Sequence, residues 1–224
     1  MSNQANQGTS WVDPATEIVP HVVKIASPDS SGSGFYIAYR MDKKQKIACI
    51  GTACHVIDHA LKWKEPLRIT GHKETTATLM PGQYDIMANE DLDLAVLEVP
   101  WESVDFPELP LRTVHPKQVL FPGMRIGWSG YPNIVNGINC FFSGYISACI
   151  AGSGDYLIDG VVIHGVSGCP AFIYDGKEIM IIGLLSQYFP NRENGDSLPG
   201  LGLVKNISPI SSYFDKRAKV ASKR

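Results

Sequence analysis

Hydrophobic residues cluster along the chain in short runs, which alternate with clusters of turn-forming residues such as Tyr174-Asp175-Gly176-Lys177. Long segments with the 3.6-residue period of an amphipathic helix are almost absent. Short strands between turns predict an all-β barrel or sandwich. The predicted strands span residues 22–26, 34–38, 46–51, 67–70, 77–80, 94–99, 125–130, 140–150, 156–158, 171–173, 179–187 and 200–205.

Two short helices are also predicted. One begins at His55 or Val56 and runs towards Lys62. The other begins at Ser208, an N-cap residue that is followed by proline, and places three apolar residues on one face: Ile210, Tyr213 and Phe214.

Prolines recur at positions 100, 107, 110, 116 and 122. Because proline cannot donate to a sheet ladder, this stretch is predicted to link two halves of the fold. The predicted division is an N-terminal extension (1–20), a first half (21–105), a linker (106–122), a second half (123–207) and a C-terminal helix with a basic, solvated tail (208–224).

The composition narrows the class of protein. Hydrophobic residues make up 44% of the chain, which is enough for a sizeable core, and a net charge of −2 favours neither nucleic acid nor a membrane as partner. The polar N-terminus predicts no secretory signal, and no apolar run approaches the about 18 residues of a membrane span. Five cysteines without a C-x-x-C pair predict reduced thiols, a cytoplasmic location and no zinc site.

Three polar residues follow one another in the order histidine, aspartate, serine. A serine hydroxyl is a weak nucleophile that needs a nearby base, and the base needs a third group to fix its tautomer. We assign Ser167 as the nucleophile, His55 as general base and then acid, and Asp93 as the residue that orients the ring. The backbone amides of Gly165 and Ser167 are predicted to form an oxyanion hole.

Alternatives exist for each assignment. Gly-x-Ser-Gly also occurs in ordinary turns, and Ser167 resembles the nucleophile elbow of α/β-hydrolases, although Cys169 replaces the last glycine of that motif. Asp91 competes with Asp93, which is favoured because it opens an apolar strand.

His59 and His72 are the alternatives to His55, which is favoured because an apolar strand delivers it to the end of the first half. His55 and His59 also have the i, i+4 spacing of two metal ligands on a helix. No third ligand is evident in the sequence, so no metal site is predicted.

Together these segments resemble trypsin-like serine peptidases of the chymotrypsin fold, nearest the bacterial Deg-type domains. The matching motifs are Gly32-Ser33-Gly34-Phe35, Thr52-Ala53-Cys54-His55-Val56, Asp93-Leu94-Ala95-Val96, Gly165-Val166-Ser167-Gly168-Cys169-Pro170 and Gly200-Leu201-Gly202-Leu203. The resemblance implies two packed six-stranded antiparallel β-barrels, the site in the cleft between them, and a short C-terminal helix.

The resemblance also implies the substrate-binding residues. Ser186, Gln187 and Tyr188 would form the strand that pairs with the substrate backbone, Val161 would lie near the floor of the primary specificity pocket, and Gly200 would line its wall. We therefore expect small or medium uncharged side chains before the scissile bond, unless Asp159 reaches the pocket.

The implied function is a serine endopeptidase that cleaves specific protein substrates without metal or cofactor, restrained by narrow specificity or a regulatory protein partner. No appended peptide-binding domain is expected. Departures from the family pattern at Cys169 and Tyr188 leave a second possibility, a weak or inactive member that binds peptides. An esterase is the third.

Overall fold

The chain folds as two β-sheets built from consecutive parts of the sequence. The computed structural model describes residues 10–115, 118–135, 137–193 and 196–210. The first sheet contains β1 (Val22–Ala26), β2 (Ser31–Asp42), β3 (Gln45–Thr52), β4 (Leu67–Thr70), β5 (Thr76–Leu79), β6 (Asp85–Asn89) and β7 (Leu94–Pro100). The second contains β8 (Arg112–Thr113), β9 (Arg125–Gly130), β10 (Cys140–Cys149), β11 (Tyr156–Asp159), β12 (Pro170–Tyr174), β13 (Ile179–Glu193) and β14 (Asp196–Asn206).

The two sheets differ in closure. The second has the strand order β12-β9-β10-β11-β14-β13, and an additional β12–β13 pairing closes it into a six-stranded barrel with β8 added at β13. The first has the order β5-β4-β1-β2-β3-β7-β6, and no pairing between described residues joins β5 to β6. The predicted all-β, two-barrel class is therefore confirmed, with a half-barrel as its first member.

Every predicted strand overlaps an observed one, but β6 and β8 were not predicted. β6 is largely exposed and lies at the sheet edge, so it lacks the apolar pattern of an inner strand. β8 consists of only two residues among the prolines of the linker and pairs in parallel with β13. Sequence patterns do not reveal a ladder this short.

Helices flank the sheets. α1 (Val12–Ile18) lies in the predicted N-terminal extension, followed by a 3₁₀ turn at Val19–His21, and neither was predicted. α2 (Cys54–Trp63) agrees with the predicted helix near His55. Residues 208–210 are helical, while Tyr213, Phe214 and the basic tail lie outside the described residues. Among the described residues, no helix has the length and apolar character needed to cross a membrane.

Buried aromatic and aliphatic side chains form two hydrophobic cores. Phe35, Ile50 and Leu97 are fully buried in the first core. Trp128 is fully buried in the second, stacks on Phe142 with 6.1 Å between ring centroids, and donates a hydrogen bond to a loop carbonyl close to the candidate site. The cores hold in place the strand ends and loops from which the site is built.

One strand glycine supports a testable prediction about packing. A methyl group at Gly144 in β10 would lie 1.8 Å from the carbonyl oxygen of Asp159 on β11, so the strands would have to separate. We expect Gly144→Ala to lower the free energy of unfolding by about 1–3 kcal/mol or more, measured by urea denaturation. Gly82→Ala is the control, because Gly82 has open space around it and its φ of +90° costs only about 1–2 kcal/mol. A smaller loss for Gly144→Ala than for Gly82→Ala would contradict the packing argument.

Candidate active site

His55 lies in the first turn of α2, where a carboxylate from another segment takes the place of a helix cap. The N-cap residue Ala53 has extended backbone and makes no side-chain cap. Instead, Asp93 Oδ1 accepts a hydrogen bond from the His55 backbone N–H at 3.0 Å, and the Asp93 carbonyl accepts one from Cys54 N–H at 3.3 Å. A negative charge at this position also interacts favourably with the positive end of the helix dipole.

The same carboxylate holds the His55 ring. His55 Nδ1 lies 2.9 Å from Asp93 Oδ2 and 3.0 Å from Oδ1. Asp93 reaches the ring from the turn before β7 with a φ of +52°, a left-handed conformation that aspartate tolerates better than most residues. The Asp93 side chain is 18% exposed, whereas the rival Asp91 is exposed at the surface. The structure therefore pairs His55 with Asp93.

Ser186 adds a further contact to this carboxylate. Its hydroxyl donates to Asp93 Oδ2 at 2.5 Å, and the residue is buried in β13. We expected Ser186 only in the strand that binds substrate. The one signal in the sequence is a hydroxyl group inside an otherwise apolar run, Gly183-Leu184-Leu185-Ser186, which predicts a buried partner without identifying it.

Hydrogen bonds favour the charged form of Asp93. Burial alone would raise the pKa of this carboxyl, but the hydrogen bonds from the His55 ring, the Ser186 hydroxyl and the His55 backbone outweigh burial and lower its pKa below the ordinary 3.8. Asp93 is therefore a carboxylate at neutral pH.

Ser167 lies in the loop between β11 and β12, half-buried, next to the same strand. Its hydroxyl donates to the Ser186 carbonyl at 3.5 Å, and no hydrogen bond between described residues joins it to His55. Ser186 thus contacts both sides of the site, with its hydroxyl on Asp93 and its carbonyl facing Ser167. The His55–Asp93 pair is formed, and the serine hydroxyl is turned towards Ser186.

The loop around Ser167 presents two unpaired backbone N–H groups. The His164 carbonyl accepts from Asn133 N–H at 2.8 Å, and the Val166 carbonyl accepts from Cys169 N–H at 3.0 Å. In a trans peptide the N–H points opposite to the C=O, so these bonds fix the directions of the next amides, those of Gly165 and Ser167. Neither of these two amides donates to another described group. They are available to an external acceptor.

Gly165 has to be glycine in this arrangement. Its φ is +97°, and a methyl group there would lie 2.4 Å from the Tyr131 carbonyl oxygen. Gly168 is restricted in the same way, with a φ of +83°. The glycines on either side of Ser167 therefore reflect backbone conformation and close packing.

Comparison with solved structures identifies the fold. The serine endoprotease from Yersinia pestis superimposes with a TM-score of 0.68 at 19% identity, over 93% of this chain and 66% of that one. Deg5 gives 0.66 at 21% identity, covering 90% of both chains. An inactive serine-to-alanine mutant of Rv3671c from M. tuberculosis H37Rv gives 0.61 at 19% identity, covering 90% of this chain and 88% of that one.

The chain has the trypsin-like serine peptidase fold. No protein-family model and no curated protein matches it. The chain spans just under two thirds of the Yersinia structure. At these identities the likeness establishes the trypsin-like fold, and the chemistry has to be argued from the residues of this chain.

The residues predicted to bind substrate lie in the loop between β11 and β12, on β13 and on β14. Val161 is 55% exposed, and its carbonyl accepts from the Trp128 indole at 3.2 Å. Gln187 is exposed on β13, and the Tyr188 hydroxyl accepts from Gly200 N–H at 3.1 Å, so this side chain spans from β13 to β14. The Asp159 carboxylate accepts from the Tyr145 backbone N–H, a contact that holds it against β10.

One group of described side chains has the geometry of a possible metal site. Ligand atoms of Asp29, His59 and Glu65 lie within 4.8 Å of one another. His59 Nδ1 lies 2.7 Å from Glu65, and Nε2 lies 3.2 Å from Asp29. Both ring nitrogens thus already face carboxylates, as in a histidine that bridges two acidic groups. The group is separate from the His55–Asp93 pair.

The cysteines beside the site are poor alternatives to Ser167 as nucleophiles. Burial, with the nearby charge of Asp93, raises the pKa of Cys54 to about 11, and burial raises the pKa of Cys169 as well. A thiol reacts as its thiolate, which both environments disfavour at neutral pH. All five cysteines are free thiols in the structure.

The lowered pKa of Asp93 predicts a pH-dependent contribution to stability. A carboxyl whose pKa is lower in the folded than in the unfolded state stabilises the fold above its unfolded pKa, and this contribution is lost as the pH falls through the folded pKa. We expect Asp93→Asn to lower the free energy of unfolding at about pH 7, with a difference from wild type that shrinks towards about pH 3.

Urea denaturation of both proteins across this range measures the difference. Asp91→Asn, a change two residues away at an exposed position, is the control and should differ little from wild type at either pH. A difference for Asp93→Asn that is the same at both ends of the range would contradict the assignment of a stabilising, charged Asp93.

Proposed function

We propose that the protein is a serine endopeptidase that cleaves specific protein substrates through an acyl-enzyme. The main support for the proposal is the His55–Asp93 pair beside Ser167. The loop that carries Ser167 also has two free amides, those of Gly165 and Ser167. A turn serine of purely structural function requires neither a ring fixed by a carboxylate nor unpaired amides. The trypsin-like fold supports the same proposal.

The proposed mechanism assigns one role to each group. Ser167 Oγ attacks the scissile carbonyl carbon while His55 Nε2 takes its proton, and the carbonyl oxygen becomes an oxyanion that accepts from the Gly165 and Ser167 amides. His55 then gives the proton to the leaving amine. Water, deprotonated by His55, then attacks the acyl carbon, the bond to Ser167 Oγ breaks, and Oγ takes the proton back from His55 as the acid product leaves. Asp93 stays ionised throughout and stabilises the imidazolium.

Attack requires a small rearrangement of the serine. In the structure its hydroxyl faces the Ser186 carbonyl at 3.5 Å, a distance that gives a weak hydrogen bond. Rotation about χ1 of Ser167 moves the hydroxyl between staggered positions without moving the backbone. Catalytic hydrogen bonds commonly tighten only when substrate is bound, so this orientation is compatible with an active enzyme.

The proposed substrate preference follows from the side chains near the loop. Val161 is uncharged and exposed, the Asp159 carboxylate is held by the Tyr145 amide, and the Tyr188 side chain spans towards Gly200. A pocket of this composition favours small or medium uncharged side chains before the scissile bond. Gln187 and Tyr188 on β13 would pair with the substrate backbone.

Two observations favour a second candidate, a peptide-binding module with little or no activity. The Ser167 hydroxyl is not hydrogen-bonded to His55, and the Tyr188 hydroxyl occupies the Gly200 amide. Both the orientation of the Ser167 hydroxyl and the contact between Tyr188 and Gly200 would have to change for efficient cleavage. A regulatory protein partner and a cytoplasmic location stay predictions.

Labelling with a fluorophosphonate probe separates these two candidates. We expect the wild-type protein to react once, at Ser167, and Ser167→Ala to lose both labelling and peptide cleavage, because the reactive oxygen is gone. Turnover should fall by roughly a million-fold, with a thermal unfolding midpoint close to that of wild type.

Ser143→Ala, which removes an exposed hydroxyl on β10, is the matched control and should label normally. A wild-type protein that binds peptides without reacting with the probe would support the binding module. Labelling that persists in Ser167→Ala would contradict the assignment of the nucleophile.

Cleavage-site profiling with a peptide library tests the proposed preference. We expect cleavage after small or medium uncharged residues, with little after Lys or Arg, because the Asp159 carboxylate is engaged by the Tyr145 backbone and Val161 carries no charge. Val161→Asp should shift cleavage towards Lys and Arg. A wild-type preference for basic residues would show that the pocket is built differently.

A further inference from the structure

We propose that Ser33 is a positioning residue for the oxyanion hole, an inference that rests on the proposed function. Ser33 belongs to the Gly-Ser-Gly-Phe motif of β2, in the first sheet, whereas the oxyanion loop belongs to the second barrel. Ser33 is 0% exposed and has no part in the proposed proton transfers. Its buried polar atoms all contact backbone or hydroxyl groups around the site.

The Ser33 hydroxyl joins two loops. It accepts from Tyr131 N–H at 2.9 Å and donates to the Gly165 carbonyl at 2.8 Å. The hydroxyl therefore has one donor and one acceptor partner, and it fixes the start of the segment after β9 relative to Gly165. Two residues further along that segment, Asn133 N–H binds the His164 carbonyl and thereby directs the Gly165 amide.

The Ser33 backbone continues the connection towards His55. Ser33 N–H donates to the Ser167 carbonyl at 2.8 Å, and the Ser33 carbonyl accepts from the Thr52 hydroxyl at 2.7 Å. Thr52 is buried at the end of β3, three residues before His55. Ser33 thus lies between the strand that leads to the base and the loop that carries the nucleophile.

Backbone groups pack closely around Ser33. A methyl group at Gly168 would lie 2.2 Å from the Ser33 carbonyl oxygen, and one at Gly130 would lie 2.9 Å from the Ser33 hydroxyl. Without the hydroxyl, Tyr131 N–H and the Gly165 carbonyl lose their buried partner, and the segment that carries Asn133, which directs the Gly165 amide, loses one of its anchors.

Steady-state kinetics of Ser33→Ala test the inference. A misdirected donor weakens binding of the transition state and leaves ground-state binding unchanged, so we expect kcat to fall by about tenfold to a hundredfold with KM unchanged. Affinity for a peptidyl trifluoromethyl ketone, which adds Ser167 Oγ and forms an oxyanion, should fall by the same factor. The pH dependence of kcat should be unaltered, because His55 and Asp93 are untouched.

Ser129→Ala is the matched control. Ser129 is equally buried, and its hydroxyl donates to Asn139 instead of to the Ser167 loop. The control should keep wild-type kcat and inhibitor affinity. If Ser33→Ala fails to fold, Ser33→Cys fills the site with a larger atom that is a weaker hydrogen-bonding group, and the same kinetic pattern is expected.

If the wild-type enzyme is active, three results would overturn the inference. These are a folded Ser33→Ala with kcat within about twofold of wild type, a loss confined to KM, or an equal loss of kcat in Ser129→Ala. An inactive wild-type protein that does not react with the fluorophosphonate would instead overturn the proposed function. The two failures are therefore distinguishable.

Discussion

The site depends on one half-buried carboxylate that contacts both halves of the fold. Asp93 accepts hydrogen bonds from the His55 ring, the His55 backbone and the Ser186 hydroxyl. One side chain thus caps α2, orients the ring and reaches the second barrel. These contacts explain why a carboxyl with little exposure has a lowered pKa, since hydrogen bonds to the charged form outweigh its desolvation.

Backbone contacts between the two halves of the fold hold the Ser167 loop in position. Gly168 lets the Ser167 loop approach β2 closely, and Gly165 lets it approach the segment after β9. Hydrogen bonds to the carbonyls of His164 and Val166 direct the two free amides. A trypsin-like fold supplies the barrels, but these local contacts determine whether the loop can stabilise an oxyanion. Efficient acyl transfer requires groups held near their reactive geometry before substrate arrives.

The sequence predicted the strands and the His55–Asp93 pairing well, because both depend on local signals. Apolar runs marked the inner strands, and the apolar run after Asp93 favoured this residue over Asp91 as the partner of His55. The contact of Ser186 with Asp93 and the bridging position of Ser33 were not predictable, because no local pattern marks the partner of either hydroxyl. The exposed edge strand β6 and the two-residue β8 lacked a hydrophobic pattern, and α1 lies in a segment that we assigned no structure.

We propose that His55, Asp93 and Ser167 act as one unit on a bound carbonyl group. A crystal structure of the protein after reaction with a peptidyl trifluoromethyl ketone tests it most directly. We expect a covalent bond to Ser167 Oγ, His55 Nε2 within hydrogen-bonding distance of the adduct, and the adduct oxygen between the amides of Gly165 and Ser167. An adduct on another residue, or one whose oxygen points away from both amides, would contradict it.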